Sequence, residues 1–214
     1  MNCRSPLRLA YGRFVPETIR RVSVALLLIP ASSAVITGCE SPPAFSSVVL
    51  EPARPALDFS LKAPDGAEFR LSRQRGHLVA LTFGYTFCPD VCPTTLAELA
   101  ATRLKLGDDA GRFTVAFITI DPARDEPERL KTYTAVFDRS FIGLTGSPEQ
   151  LAAVRQAYGV TAIKRTVAGT SASYLMDHSA FVYVVDAAGR LRLMFPFGTS
   201  IEDMAHDLRL LMRR

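Results

Sequence analysis

A nearly continuous apolar run leads directly into a pair of cysteines. The run extends from Leu78 to Phe83, and Cys88 and Cys92 follow it before a series of leucines at helical spacing begins. An apolar run of this kind is typical of a strand that is buried on both faces, as at the centre of a layered α/β sheet. The two thiols that follow it can bind a soft metal ion or close a disulfide bond.

Strand and helix patterns alternate along the chain. They predict a hairpin, three strand–helix units, a second hairpin and a last helix, at 57–71, 78–106, 113–137, 140–159, 181–195 and 201–211. Residues 163–176 are polar and contain Gly and Ser, which favours a loop or a hairpin flap. The order predicts an α/β fold, a three-layer sandwich with an N-terminal hairpin extension. A Cys motif between a buried strand and a helix favours the thioredoxin-like version of this fold.

Two helices have clear local signals. Ser147 precedes Pro148 and Glu149 and is the predicted N-cap of the helix that follows. The helix after the cysteines is predicted from its spaced leucines, which are Leu96, Leu99, Leu104 and Leu106.

Residues 1–38 are predicted to be an export signal that does not belong to the fold. Five arginines precede an apolar stretch from Val22 to Val35, which Ser and Pro interrupt. The stretch is shorter than the roughly 20 apolar residues that a membrane span needs, and the order matches a secretory signal. It ends in Ile36 to Cys39, which resembles the lipobox of bacterial lipoproteins, so Cys39 would carry the lipid. The alternative is an uncleaved anchor helix with an incidental cysteine.

The composition changes after the predicted signal. Residues 39–55 are rich in Pro, Ser and Ala and are predicted to tether a domain at 56–214 to the membrane. Residues 1–38 hold five Arg and one Glu, so the 25 basic and 21 acidic residues of the chain leave 20 of each in the mature part. The pI near 9.0 therefore comes from the leader. The neutral domain has no electrostatic footprint for nucleic acid.

The four cysteines divide between these segments. Cys3 lies in the leader and Cys39 would be lipidated, so the domain keeps Cys88 and Cys92. Export would place this pair in an extracytoplasmic compartment that permits disulfides, on the periplasmic side in a bacterium. One bridge hardly makes a disulfide scaffold, and a domain of this length can build its own core. Redox or metal chemistry is therefore the favoured use of the pair.

The loop around the thiols suits anionic sulfur. Both cysteines lie near the predicted N-terminus of a helix, where the helix dipole favours a thiolate. Asp90 lies between them, and its negative charge would oppose thiolate formation unless a cation is bound. Asp90 could instead be a turn residue that caps the helix, and the sequence leaves both interpretations open.

One of three histidines is placed to join the thiols. His77 precedes a strand as a solvated loop residue, and His206 lies on the last helix on a predicted surface face. His178 precedes the strand at 181–185, and in a thioredoxin-like sheet the loop before this strand packs against the Cys motif. Cys88, Cys92 and His178 would form a three-coordinate site. Copper(I) accepts such a set of soft donors, whereas structural zinc normally takes four ligands.

The motifs around these residues resemble one family. The chain is similar to the Sco/SenC family of copper-binding, thioredoxin-like proteins of cytochrome c oxidase assembly. The similarity runs from about Leu57 to Leu211, and its motifs are Gly84–Pro93, Asp121–Asp125, Gly143–Gly146 and Asp177–Ser179. The resemblance implies that Cys88, Cys92 and His178 bind copper, as Cu(I) with Cu(II) left open, and that Asp90 lies near the metal. We expect Asp121 to Asp125 to be a structural turn with a salt bridge.

Several functions are compatible with these residues. The first is a non-enzymatic metallochaperone that gives copper to the oxidase subunit with a dinuclear copper site, with other periplasmic copper or thiol carriers as further partners. The second is a thiol–disulfide reductase that keeps the cysteines of that subunit reduced, with Cys88 and Cys92 as its redox pair. A thiol peroxidase is disfavoured, because Tyr85 replaces the Thr expected three residues before Cys88. A purely structural disulfide explains neither the Pro-flanked loop nor His178.

Overall fold

The computed structural model describes residues 44–166 and 174–213. The predicted signal at 1–38, the lipobox and Cys39 lie outside these residues. Within the two described ranges, no helix combines the length and the apolar character that a membrane crossing requires.

The described chain contains ten strands and four α-helices. The strands are β1 (Val48–Pro55), β2 (Ser60–Lys62), β3 (Glu68–Arg70), β4 (Leu78–Gly84), β5 (Phe113–Thr119), β6 (Ile142–Leu144), β7 (Ala162–Thr166), β8 (Tyr174–His178), β9 (Phe181–Val185) and β10 (Arg190–Pro196). The helices are α1 (Val91–Leu106), α2 (Pro127–Ala135), α3 (Pro148–Ala157) and α4 (Ile201–Met212). The predicted α/β class is confirmed.

Six strands form one mixed sheet in the order β1-β10-β9-β4-β5-β6. Strand β4 lies inside this sheet, parallel to β5 and antiparallel to β9. All seven of its residues are buried, as its apolar sequence predicts. Helix α1 connects β4 to β5, and α2 connects β5 to the parallel β6, so both connections are crossovers between parallel strands.

The helix signals are confirmed with one exception. The Ser147 side chain accepts a hydrogen bond from the Gln150 amide, and the Gln150 side chain accepts from the Ser147 amide, which completes a capping box. In α1, Leu96, Leu99 and Leu106 are buried. Leu104 is 79% exposed, because it lies on the opposite face of α1 from Leu99 and Leu106.

Residues 48–55, which composition assigned to the tether, form strand β1 at the edge of the sheet and pair with β10. An edge strand tolerates Pro52 and Pro55 because one of its sides needs no backbone donors. Just before β1, the amides of Ser46 and Ser47 donate to the buried Asp207 carboxylate on α4, each at 2.9 Å. The folded domain therefore begins before residue 56. The composition of residues 48–55 did not reveal this strand, because its partner β10 lies about 140 residues further along the chain and such pairing leaves little local signal.

Two small hairpins lie outside the main sheet. Strands β2 and β3 form the predicted N-terminal hairpin. Strands β7 and β8 form a second antiparallel pair, which confirms the hairpin alternative for the predicted flap. Residues 167–173, between these two strands, lie outside the described residues. His178 is the last residue of β8, so this hairpin carries the predicted ligand.

Candidate metal centre

The cysteine loop connects the end of β4 to the start of α1. Cys88 lies in this loop, and Cys92 lies in the first turn of α1. The Cys92 amide donates a hydrogen bond to the Cys88 sulfur at 3.4 Å. Asp90 occupies the N-cap position and is exposed, but its side chain caps no amide. Helix capping by the Asp90 carboxylate, one of its two predicted roles, is therefore wrong.

The structure brings Cys88, Cys92 and His178 together. Their ligand atoms all lie within 4.8 Å of one another. The Cys92 Sγ and the His178 Nε2 are 3.3 Å apart, although the two residues are 86 positions apart in the sequence. Among the described residues, no further Cys, His, Asp or Glu joins this group. Two sulfurs and one imidazole nitrogen form a soft donor set that fits copper(I).

The other two histidines lie away from the thiols. His77 is exposed between the first 3₁₀ turn and β4. His206 is exposed on α4, where its Nε2 lies 3.2 Å from the Ala44 carbonyl oxygen. Both positions agree with the sequence-based interpretation. His77 and His206 therefore serve as control positions for any test of His178.

A backbone contact orients the His178 ring. Its Nδ1 lies 3.0 Å from the Ser179 carbonyl oxygen, which can only accept, so Nδ1 carries the proton. Nε2, which lies beside the sulfurs, is therefore the ring nitrogen available as a metal ligand. The Tyr85 ring meets the His178 ring edge-on, with 6.2 Å between the ring centroids. These contacts hold the imidazole with Nε2 facing the Cys92 sulfur.

The two thiols differ in their protonation. The hydrogen bond from the Cys92 thiol lowers the pKa of Cys88 to about 4 against the effect of burial, and the hydrogen bond with His178 lowers it further. The same Cys88 contact, together with burial, raises the pKa of Cys92 well above its usual range. Burial lowers the pKa of His178, but the hydrogen bonds to Cys88 and Ser179 outweigh it and raise this pKa. At neutral pH the pair therefore holds one thiolate, on Cys88.

Gly84 makes room for the Cys92 sulfur. A Cβ atom on Gly84 would lie 2.7 Å from the Cys92 Sγ and 2.8 Å from the Phe117 Cε2. Both distances are shorter than real Cβ contacts allow, so any side chain at this position would displace the sulfur or the ring. The sequence contains one hint of this role, because a glycine inside a strand often marks a close approach. It does not reveal what approaches.

A polar cluster fastens the hairpin of His178 to the domain. The Tyr174 hydroxyl donates to the buried Asp121 carboxylate at 2.8 Å. Arg124 forms the predicted salt bridge with Asp121 and donates to the Tyr174 carbonyl oxygen at 3.0 Å. The Met176 amide donates to the Tyr85 hydroxyl at 3.2 Å. Strand β8 is therefore anchored at two residues, both of which precede His178.

Asp125 fixes the start of the cysteine loop. Its buried carboxylate accepts hydrogen bonds from the Thr86 amide, the Thr86 hydroxyl and the Thr119 hydroxyl, the last two at 2.7 and 2.6 Å. Burial raises the pKa of this carboxyl, and the hydrogen bonds from Thr119 and Thr86 oppose the rise. Asp125 thus connects the first residues after β4 to the end of β5.

A small cavity opens beside the Cys88 thiol. It has a volume of about 280 Å³, and its lining includes Tyr85, Cys88, Met176 and His178. Cys88 is half-buried, whereas Cys92 is only 3% exposed. A larger cavity, about 610 Å³, lies between the N-terminal hairpin and α2 and is lined by no cysteine or histidine. The chemistry of the pair is therefore accessible mainly at Cys88.

The pKa of Cys88 predicts an alkylation profile. In the reduced full chain carrying Cys3→Ser and Cys39→Ser, iodoacetamide should modify Cys88 at a nearly constant rate from pH 8 down to about 5. An ordinary thiol would slow below its pKa of about 8.5. Mass spectrometry should find Cys92 protected. His178→Ala should raise the midpoint and His77→Ala should not, whereas a wild-type midpoint near 8.5 would contradict the thiolate assignment.

The crowding at Gly84 predicts a specific effect of Gly84→Ala. Displacing the Cys92 sulfur weakens the hydrogen bond that most lowers the pKa of Cys88, so the alkylation midpoint of Cys88 should rise. Gly143→Ala is the matched control. A Cβ on Gly143 would lie 2.9 Å from the Leu130 Cβ, so it should lower the thermal unfolding temperature but leave that midpoint unchanged. Equal midpoints for wild type and Gly84→Ala would show that Gly84 does not position Cys92.

Known proteins share this fold. The chain is 36% identical to an SCO2-like protein of Rickettsia conorii over 152 residues, which are 71% of this chain and 74% of that protein. ScoI of Bradyrhizobium japonicum, solved with copper bound, is 36% identical, with a TM-score of 0.66 over 73% of this chain and 99% of that one. Apo Sco1 of Thermus thermophilus is 38% identical, with a TM-score of 0.70 over 78% of this chain and 97% of that one.

These likenesses confirm the predicted thioredoxin-like fold, since both Sco structures superimpose on the described domain. The family model described as SCO1/SenC matches residues 50–213. That match includes β4, the cysteine loop and the hairpin that ends in His178, and it spans well over half of the chain. The protein therefore belongs to the SCO1/SenC family.

Proposed function

We propose that this protein is a copper metallochaperone for the dinuclear copper site of cytochrome c oxidase. It would hold copper through Cys88, Cys92 and His178 and release it to the recipient oxidase subunit. The observation that carries the proposal is the convergence of these three donors within 4.8 Å. Membership of the SCO1/SenC family supports the choice of recipient, because the motifs of the chain resemble those of Sco/SenC proteins of cytochrome c oxidase assembly.

The donor set favours copper over zinc. Structural zinc takes four ligands, and the described residues offer three from Cys, His, Asp and Glu. Copper(I) prefers soft donors, which the two sulfurs supply. A Sco protein with 36% identity to this chain has been solved with copper bound, which also supports copper as the cargo.

The protonation of the site suits loading and release. The Cys88 thiolate needs no deprotonation at neutral pH, whereas Cys92 gives up its proton as copper arrives. Loading should therefore release a proton from Cys92. The cavity beside Cys88 and His178 gives a recipient ligand access to the metal, so copper can pass by stepwise ligand exchange. Asp90, exposed between the two cysteines, would place a negative charge near the loaded cation.

A thiol–disulfide reductase is the second candidate, and the unequal burial of the two thiols favours it. The half-exposed Cys88 thiolate would attack a disulfide of the recipient and form a mixed disulfide, releasing one recipient thiolate. Cys92 would then lose its proton and attack Cys88, which frees the second recipient thiolate and leaves a Cys88–Cys92 disulfide. The pair supplies both electrons. An external dithiol would have to reduce it before the next cycle.

Copper binding by ligand variants distinguishes the two candidates. The full chain with Cys3→Ser and Cys39→Ser should bind one Cu(I) in an anaerobic titration, and copper should protect both remaining thiols. His178→Ala should weaken the affinity by more than about 100-fold, since loss of a ligand should exceed the effect of losing an outer hydrogen-bond partner. Cys88→Ser and Cys92→Ser should each abolish stoichiometric binding.

The matched controls are His77→Ala and His206→Ala, which should leave the copper affinity unchanged. Unchanged affinity in His178→Ala would reject the three-ligand site. No stable copper in the parent chain, together with a readily reversible Cys88–Cys92 disulfide, would reject the chaperone and favour the reductase.

We also propose that the protein is exported and held at the membrane by lipid on Cys39, facing the periplasm. The basic leader, the apolar stretch and the lipobox-like Ile36 to Cys39 support this location. Cys39→Ala should release the protein from the membrane fraction or stall its processing, as followed by fractionation and mass. Cys3→Ala, within the leader, is the control and should change neither. Unaltered membrane attachment of Cys39→Ala would favour an uncleaved anchor helix.

A further inference from the structure

The last strand before the site carries a sulfur that has no role in the three-ligand centre. Side chains of a strand alternate between its two faces, so Tyr174, Met176 and His178 share one face of β8. Leu175 and Asp177 point to the other. Met176 therefore lies between two residues whose contacts are known, and these contacts show which way its face is turned.

The face that carries Met176 is turned toward the domain. Tyr174 is buried, and its hydroxyl reaches Asp121 at 2.8 Å. His178 reaches the Cys92 Sγ at 3.3 Å. On the opposite face, the exposed Asp177 pairs with Arg165 of β7. Strand alternation thus assigns the Met176 side chain to the face that is turned toward the domain, where it packs against the core.

Met176 also borders the space in front of Cys88. Met176, His178 and Cys88 line the same cavity of about 280 Å³. The Met176 amide donates to the Tyr85 hydroxyl at 3.2 Å, and the Tyr85 carbonyl accepts from the Cys88 amide at 3.1 Å. A single residue, Tyr85, thus connects the backbone of Met176 to that of Cys88. Met176 is half-buried and packs against the core.

We propose that the Met176 thioether is a fourth, displaceable ligand for copper(I) at this centre. This inference rests on the proposed copper site at Cys88, Cys92 and His178. A thioether is a soft neutral donor that suits Cu(I). Because it carries no charge, it binds more weakly than a thiolate and gives way to an incoming recipient ligand. Met176 would therefore close the open coordination position during transport and select Cu(I) over Cu(II).

Selenium labelling separates Met176 from the cysteine sulfurs. The full chain with Cys3→Ser and Cys39→Ser is produced with selenomethionine, loaded anaerobically with one Cu(I), and studied by X-ray absorption at the copper edge. A copper–selenium shell should appear, and Met176→Leu should remove it. The matched control is Met194→Leu, because Met194 is also a half-buried methionine packed against the core. Met194→Leu should keep the shell.

Affinity measurements test the selectivity. Met176→Leu should bind Cu(I) several-fold more weakly and Cu(II) almost unchanged, whereas general damage to the fold would weaken both. Copper held by two sulfurs and one nitrogen, with no selenium shell, would overturn the role of Met176 and leave the three-ligand centre standing. A parent chain that binds no copper would overturn both proposals.

Discussion

The position of β4 within the sheet determines where the site forms. Its end is paired with the start of β9, since Thr82 lies opposite Val182 in an antiparallel register. The loop that leaves β4 carries Cys88, and the segment that enters β9 begins just after His178. Both segments therefore lie where the strands end on the same side of the sheet, at the end of β4 and the start of β9. One strand pairing is enough to bring together groups that are 86 residues apart in the chain.

The parts of this arrangement with local signals could be predicted from the sequence. Leu78 to Phe83 is apolar throughout, so it indicates a central strand, and Ser147 with Gln150 marks a helix start. The edge strand β1 could not be predicted in this way. Its prolines suggested a tether, and only pairing with β10, far along the chain, makes it a strand.

The site shows the same division. His178 could be selected over His77 and His206 from the sequence alone, because element order predicts the fold and His178 precedes the strand at 181–185. The role of Gly84 depends on the distance to the Cys92 sulfur, and the role of Asp125 depends on the hydroxyls around it. Contacts of this kind produce no regular spacing of residue types in the sequence, so they cannot be predicted from it. The sequence left two roles open for Asp90, and only the side-chain geometry removes helix capping.

The three donors belong to two parts of the fold that are paired separately. Both thiols come shortly after β4, which is paired with β9 on one side and with β5 on the other. The imidazole belongs to the separate two-stranded sheet of β7 and β8. That unit is held through side chains, with Tyr174 on Asp121 and Tyr85 on Met176. If a partner displaced the β7–β8 hairpin, the imidazole would separate from the sulfurs while the hydrogen bonds of the six-stranded sheet remained intact. The nitrogen donor thus stands outside the hydrogen bonding of the six-stranded sheet.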